Sequence, residues 1–333
     1  MTKPAPLVDR FGRVHTSLRV SVTDRCNIRC FYCMPLENVQ FKPREELLTF
    51  EEIERVAKIA VSLGVRKFRL TGGEPLVRHQ LHELIRRLAA IPGVEDLALT
   101  TNGLLLADQA AALHAAGLRR LNVSLDSLSE EVFQRITRRQ GVERVLQGIA
   151  AAQEVGFRGI RLNAVSIRGL TESEIVPLAR FSREQDLELR FIEFMPLDAD
   201  RNWGETQVLS GAEVREIVSR DVATLSPAPR DDLSQPAVDF VYSDSPARVG
   251  FINSVTAPFC GACNRLRITA EGQLRNCLFS TEEWDVRSPL RQGATDMAIA
   301  EVFRDCTSAK KLGHGSDDQQ FAPTERAMYQ IGG

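Results

Sequence analysis

The chain has 333 residues, 43% of them hydrophobic and 26% charged, with a formal net charge of −2 from 42 basic and 44 acidic side chains. That balance excludes wholesale disorder, and it excludes a generally basic surface for nucleic acid or anionic membrane, so any anion site must be a local cluster of arginines. Residues 1–15 lack the apolar segment of a signal peptide and no run of eighteen apolar residues occurs, so a cytoplasmic protein without a membrane span is expected.

Between residues 18 and 195 the chain alternates short β-rich runs with amphipathic helical patterns. The strand candidates are 18–22, 67–70, 96–100, 120–125, 159–165 and 188–194. Helical periodicity covers 51–63, 81–90, 108–115 and 143–154. Four pairs have the spacing of a capping box, Thr49/Glu52, Ser127/Glu130, Thr171/Glu174 and Ser210/Glu213. Gly64, Gly117 and Gly156 sit where helices end. Six strand–helix units predict an α/β fold with a parallel sheet and helices outside. A complete barrel takes eight units, so the expectation is a partial six-stranded (β/α)6 TIM-type barrel, with a doubly wound open sheet as the rival. Near 226–232 turn formers gather into a connecting loop. The barrel is therefore expected over residues 1–225, and a smaller α+β region over 226–333. In that region 238–242, 249–252, 266–269 and 273–279 read as strands, and 288–303 as partly helical.

Seven cysteines fall at Cys26, Cys30, Cys33, Cys260, Cys263, Cys277 and Cys306. A disulfide framework is not expected without secretion. Cys306 lies in an apolar stretch and reads as a small buried hydrophobe. Cys26, Cys30 and Cys33 form a local triad. Zinc takes four ligands, and a [4Fe–4S] cubane held by three thiolates leaves one iron open to a small molecule. The spacing alone also suits a zinc knuckle or three unrelated buried thiols. Cys-x3-Cys-x2-Cys resembles the signature of the radical S-adenosylmethionine (radical SAM) superfamily. There the methionine end of SAM chelates the open iron, and one-electron cleavage gives a 5′-deoxyadenosyl radical.

After the second strand comes Thr71-Gly72-Gly73-Glu74-Pro75, whose glycines permit close approach to the backbone. It resembles the superfamily's GGEP motif, whose backbone and acid hold the SAM amino group. Cys260, Cys263 and Cys277 form a second triad. A zinc ribbon would need a further close pair, whereas two three-thiol clusters use all six cysteines. On a strand Arg265 and Arg267 face one side, and guanidinium forks suit phosphate oxygens. The bland reading is an exposed edge strand; beside an open iron the pair points instead to a phosphorylated substrate.

From about Leu7 to the last residue the sequence resembles the GTP 3′,8-cyclase family (molybdenum cofactor biosynthesis protein A). The most specific likeness lies in the first triad, Thr-Gly-Gly-Glu-Pro, Cys-Gly-x-Cys-Asn-Arg-Leu-Arg and the terminal Ile331-Gly332-Gly333. The resemblance implies two [4Fe–4S] clusters, SAM and GTP, with C3′ of the ribose joined to C8 of guanine. It implies cluster ligands Cys26, Cys30 and Cys33 at one end and Cys260, Cys263 and Cys277 at the other. SAM contacts would be Tyr32, Gly73, Ser124 and Met195. GTP contacts would be Arg19, Arg69, Thr100, Arg161, Arg265, Leu266 and Arg267, the last three partly through backbone. Arg19, Gly332 and Gly333 would arrange the catalytic pocket. Arg161 stands where the family usually has Lys, which keeps the charge and replaces a point donor with a planar fork. A flavodoxin- or ferredoxin-type reductant, a downstream cyclic pyranopterin monophosphate synthase and a homodimer or monomer also follow from the resemblance. A peptide-modifying radical SAM maturase and a non-catalytic iron–sulfur protein are the rival readings.

Overall fold

The computed structural model describes residues 5–198, 200, 202–230, 232–314 and 326–332; Gly333, expected in the pocket, lies outside them. The first six strands are β1 (Ser17–Ser21), β2 (Lys67–Thr71), β3 (Asp96–Thr101), β4 (Arg120–Ser124), β5 (Arg161–Ser166) and β6 (Glu188–Glu193). Helices α1 (Phe50–Ser62), α2 (Leu81–Ala89), α3 (Leu106–Ala115), α4 (Glu130–Thr137), α5 (Val142–Glu154) and α6 (Ile175–Glu184) fall between and around them. Then come α7 (Gly211–Asp221), β7 (Leu225–Pro227), β8 (Val238–Tyr242), β9 (Arg248–Ile252), β10 (Arg265–Ile268), β11 (Gln273–Arg275) and β12 (Trp284–Asp285). Helices α8 (Arg287–Arg291), α9 (Asp296–Ser308) and α10 (Met328–Ile331) finish the chain.

Each of β1 to β6 pairs in parallel with the next, as the strand–helix rhythm requires. The order of the whole sheet is β12-β11-β10-β1-β2-β3-β4-β5-β6-β9-β8-β7. Two late strands therefore extend the partial barrel at both edges: β10 lies parallel to β1, with Arg19 opposite Arg267, and β9 lies parallel to β6. No ladder joins β9 to β10 among the described residues, and the barrel stays open there.

Period-two alternation sorts the strands by face. Leu18, Val20, Phe68, Leu70, Leu121, Val123, Leu162 and Leu189 are buried against the helices, each such side chain contributing roughly 1.5–3 kcal/mol. Their neighbours Arg19, Arg69, Asn122, Arg161 and Arg190 face the lumen. A TIM barrel normally fills that space with branched apolar side chains. Here it is polar, and a cavity remains.

Two of the four expected capping boxes form, at Thr49/Glu52 and Ser210/Glu213. The other two are corrected. Helix α4 is capped by Ser129, because Ser127 turns its hydroxyl to Glu174 (2.8 Å) and Glu130 reaches the N–H groups of Gly141 and Val142. Glu174 is buried and accepts from Ser127, Leu128 and Ser129, so it is not free to cap its own helix. The 226–232 stretch also begins as strand β7, paired antiparallel with β8.

Candidate functional site

The barrel lumen is a cavity of about 440 Å³. One end is the loop that follows β1. Thr23 to Arg25 lie directly on the Thr71–Glu74 turn, with Gly73 N–H donating to the Thr23 carbonyl (2.7 Å) and Glu74 N–H to the Arg25 carbonyl (2.7 Å). A Cβ on Gly72 would fall 2.6 Å from the Thr23 oxygen, and one on Gly73 would fall 2.5 Å from that of Arg25. The glycines are thus required by the backbone of the cysteine loop itself, and Gly73 also lines the cavity. Glu74 is buried, its carboxylate accepting from Thr101 Oγ1 (2.7 Å), Asn102 N–H (2.7 Å) and Leu76 N–H (3.0 Å). It braces the end of β3, and burial pushes it up to about 7 against those bonds.

Cys26, Cys30 and Cys33 all line this end of the cavity as free thiols. Burial, then Glu74, pushes the Cys26 thiol up to about 11; burial and neighbouring anionic groups raise Cys30 and Cys33 as well. Such thiols lose their protons to a strong cation that takes the proton's place on sulfur. No three Cys, His, Asp or Glu side chains among the described residues group around a single ion-sized point. Thiols spread around a cavity fit a cubane, whose irons sit on a larger body. Tyr32, Ser124 and Met195 line the same end. The Tyr32 hydroxyl donates to Asp126 (2.6 Å), which also accepts from Val165 N–H (2.8 Å) and is pushed by burial to about 6.

The second triad is built by the β10–β11 hairpin. Cys263 N–H donates to the Cys260 carbonyl (3.0 Å), and the antiparallel register Arg267↔Arg275 carries Cys277 back toward Cys263. Buried Lys310 fastens the two arms, its ammonium donating to the carbonyls of Arg265 (2.8 Å) and Asn276. Burial would raise Cys263, but Arg265 and Lys310 outweigh it and hold the thiol at about 6; Arg265 Nη2 lies 3.5 Å from its sulfur. The cavity wall contains the residues flanking these thiols, Phe259, Asn264 and Leu278, and the three cysteines themselves are half-buried.

Between the triads stand the arginines. Arg19, Arg69, Arg161, Arg265 and Arg267 all line the cavity, as does Thr100, which accepts from Arg69 (3.2 Å). Leu266 does not; its side chain is fully buried on the helix side, leaving only backbone toward a ligand. Burial, then Arg267 and Arg265, holds Arg19 well below the usual arginine range; burial and Arg19 bring Arg69 to about 9. Arg161 pairs with Glu188 (2.5 Å). The sequence reading missed Lys67, Arg120 and Arg190, which line the cavity too. Inward strand parity shared with Arg69 and Arg161 was the signal available for them. The amide oxygens of Asn122 and Asn163, also in the lining, are buried without a partner.

The C-terminal turn closes one side. Arg326 pairs with Glu271 and Glu283, α10 follows, and Gly332 adopts φ +72°. Arg267 donates to the Gly332 carbonyl (2.7 Å), and a Cβ there would lie 2.8 Å from both Ser21 Cβ and Thr71 Oγ1. The tail thus meets the ends of β1 and β2 and is held by Arg267, the partner of Arg19 in the β1–β10 register.

Residues 20–182 match the family model of the radical SAM superfamily, and residues 187–316 match that of Molybdenum Cofactor Synthesis C. A GTP 3′,8-cyclase of Rhodopirellula baltica is 55% identical over all of this chain and 94% of its own length. One of Streptomyces coelicolor is 46% identical over 98% of this chain and 96% of its own. Among solved structures, Streptococcus suis SuiB bound to S-adenosylmethionine superposes with TM-score 0.58 at 15% identity, over 87% of this chain and 68% of that one. The structure of anSMEcpe with bound AdoMet gives 0.58 at 14%, over 87% and 82%. These two likenesses concern the fold. No helix among the described residues is long and apolar enough to cross a membrane.

Proposed function

The chain belongs to the GTP 3′,8-cyclase family, and from that premise we propose how its side chains divide the work. The activity is the radical SAM cyclisation of GTP to (8S)-3′,8-cyclo-7,8-dihydroguanosine 5′-triphosphate, the first step of molybdenum cofactor biosynthesis, with two [4Fe–4S] clusters and SAM as cofactors. Once bound, the first cluster and SAM would supply one-electron radical chemistry at the ribose.

Cys26, Cys30 and Cys33 hold the first cluster; Cys260, Cys263 and Cys277 hold the second. Tyr32, Gly73, Ser124 and Met195 seat SAM. Arg19, Arg69, Thr100, Arg161, Arg265 and Arg267, with backbone at Leu266, hold the GTP; Lys67 and Arg190 join them. The observation that carries this division is the charge of the lumen: eight basic side chains line it against four acidic ones, Glu74, Asp96, Asp126 and Asp232. Packed guanidiniums repel, and a triphosphate is the kind of anion that relieves several at once. Phosphates on arginines and base at the second cluster fix the ribose from both ends, an orientation worth up to roughly 7–11 kcal/mol of barrier. Gly332 narrows the space beside Arg267, and a role for Gly333 with Arg19 in arranging the catalytic pocket is part of the same proposal.

A flavodoxin- or ferredoxin-type reductant feeds the electron, a cyclic pyranopterin monophosphate synthase consumes the product, and the enzyme works in the cytoplasm as a homodimer or monomer. The test is anaerobic incubation of the reconstituted chain with GTP, SAM and a reductant. Cyclised GTP with one 5′-deoxyadenosine per turnover is expected. SAM cleavage with unchanged GTP, in a chain loaded with about eight irons, would defeat this reading.

A further inference from the structure

The inward positions of β4 and β5 change character in step along the lumen. Each strand opens on a cation, Arg120 or Arg161, and two residues later carries an amide, Asn122 or Asn163. The register sets Asn122 beside Thr100 and Arg161, and Asn163 beside Ser124. Successive inward positions on a strand are about 6–7 Å apart. The two amides thus lie one step along from the cations of the strand starts, at and just before the level of Ser124, the proposed SAM contact.

Both amide oxygens are buried without a partner among the described residues, and Asn122 as a whole is only 3% exposed. The arginines two residues before them do not serve them, because Arg120 pairs with Asp96 and Arg161 with Glu188. A buried acceptor left unpaired is costly, and where one lines a binding cavity a ligand group is the natural partner. A phosphate offers such an oxygen no hydrogen. A hydroxyl suits it, since it donates to the amide oxygen and can accept from the amide nitrogen of a neighbour.

We infer that Asn122 and Asn163 bind the 2′- and 3′-hydroxyls of the substrate ribose and so make the site specific for a ribonucleotide. A nucleotide with its phosphates on the cations and its C3′ turned toward SAM carries its sugar across this level of the lumen. Neither hydroxyl is lost when C3′ is joined to C8, so the same contacts hold the ring before and after cyclisation. Fixing both hydroxyls also fixes which ring carbon is turned to the SAM end.

The inference rests on the proposed reading that the lumen holds GTP, and the experiment keeps the two apart. The cluster-loaded full chain is dialysed to equilibrium against GTP, 2′-deoxy-GTP or 3′-deoxy-GTP, with SAM present and without oxygen or reductant, so that nothing turns over. Each deoxy analogue is expected to bind at least about 10-fold more weakly than GTP. Asn122→Leu and Asn163→Leu, close in size and unable to hydrogen-bond, should weaken GTP and leave unchanged the analogue that lacks their hydroxyl. One ratio therefore closes in each variant. Asn122→Asp and Asn163→Asp keep an acceptor oxygen and should retain the ratios, even where the added charge weakens all three nucleotides. A parent chain that binds none of the three defeats the proposed function itself. A parent that binds all three alike overturns this inference alone, as do Leu variants in which the ratios persist. Leu variants that lose SAM while keeping the ratios assign the amides to the ribose of SAM and overturn it too. Should a Leu variant fail to load iron, the Ala variant at the same position is read in its place.

Discussion

At the scale of single residues, the site depends on groups placed where small changes have large effects. Gly332 has φ +72° and no room for a Cβ beside Ser21 and Thr71. Gly332→Ala should therefore expel the turn and lower cyclisation at least about 100-fold, the effect expected when reacting groups are displaced by about 1 Å. The melting temperature should scarcely move, because chain ends contribute little to the global fold. Product assay beside 5′-deoxyadenosine release checks it; unimpaired cyclisation would remove the tail from the pocket. Glu74 makes a different prediction. Its carboxyl is raised from 4.5 to about 7. The stability it contributes is complete below pH 4.5 and is lost as pH rises through 7, because the buried anion is the disfavoured form. The change is about 3 kcal/mol at most. Melting curves of the metal-free chain and of Glu74→Gln should diverge across pH 4.5–7.5, with the variant gaining relative stability at the upper end. A constant difference would mean that the carboxyl is already ionised throughout.

At the scale of elements, β1 to β6 and the helices α1, α2, α3 and α5 were legible because their periodicities are strong and because α1, α3 and α5 run out into a glycine. The φ values of Gly64, Gly117 and Gly156, between +96° and +107°, follow from those positions. The insertion of β10 beside β1 and β9 beside β6 was not legible, since register between strands about 250 and about 60 residues apart leaves no local pattern. Lys67 and Arg190 were within reach of the sequence through the inward parity they share with Arg69 and Arg161, but parity alone does not say that the lumen is empty. Ser127 and Glu174 misled because a capping-box spacing does not say that a tertiary partner will claim the carboxylate. Lys310 was equally silent in the sequence, yet it joins both arms of the cysteine hairpin. Lys310→Ala removes the ammonium shared by the carbonyls of Arg265 and Asn276, and a buried carbonyl left unpaired costs roughly 1–3 kcal/mol. Loss of the second cluster is expected, with iron falling from about eight to about four per chain. Full iron loading in that variant would show that the hairpin holds its shape without the clamp.

Across the whole molecule, one barrel keeps a polar cavity with an excess of positive charge where such folds place a packed apolar core, and stability is given up for binding. Arg69 is the clearest case. It is buried, brought to about 9 by burial and then by Arg19, and held by a hydrogen bond to Thr100. Replacing a buried charge by an apolar side chain of similar length can stabilise a fold by about 1–4 kcal/mol. Arg69→Met is therefore expected to raise the melting temperature of the ligand-free chain while weakening GTP. Ordinary core substitutions do the reverse, so the sign discriminates. The companion measurement is the shift on adding nucleotide. At 100 times its dissociation constant GTP adds about 2.7 kcal/mol to the native state, whereas guanosine, without phosphates, should add far less. Arg265→Ala and Arg267→Ala should reduce the GTP shift and leave SAM cleavage possible, because the thiol that Arg265 touches is Cys263 of the second triad and Arg267 is bonded to the Gly332 carbonyl. A variant Arg69→Met less stable than the parent, or a guanosine shift equal to that of GTP, would mean that the guanidiniums are held by the protein for its own packing and that the triphosphate binds elsewhere.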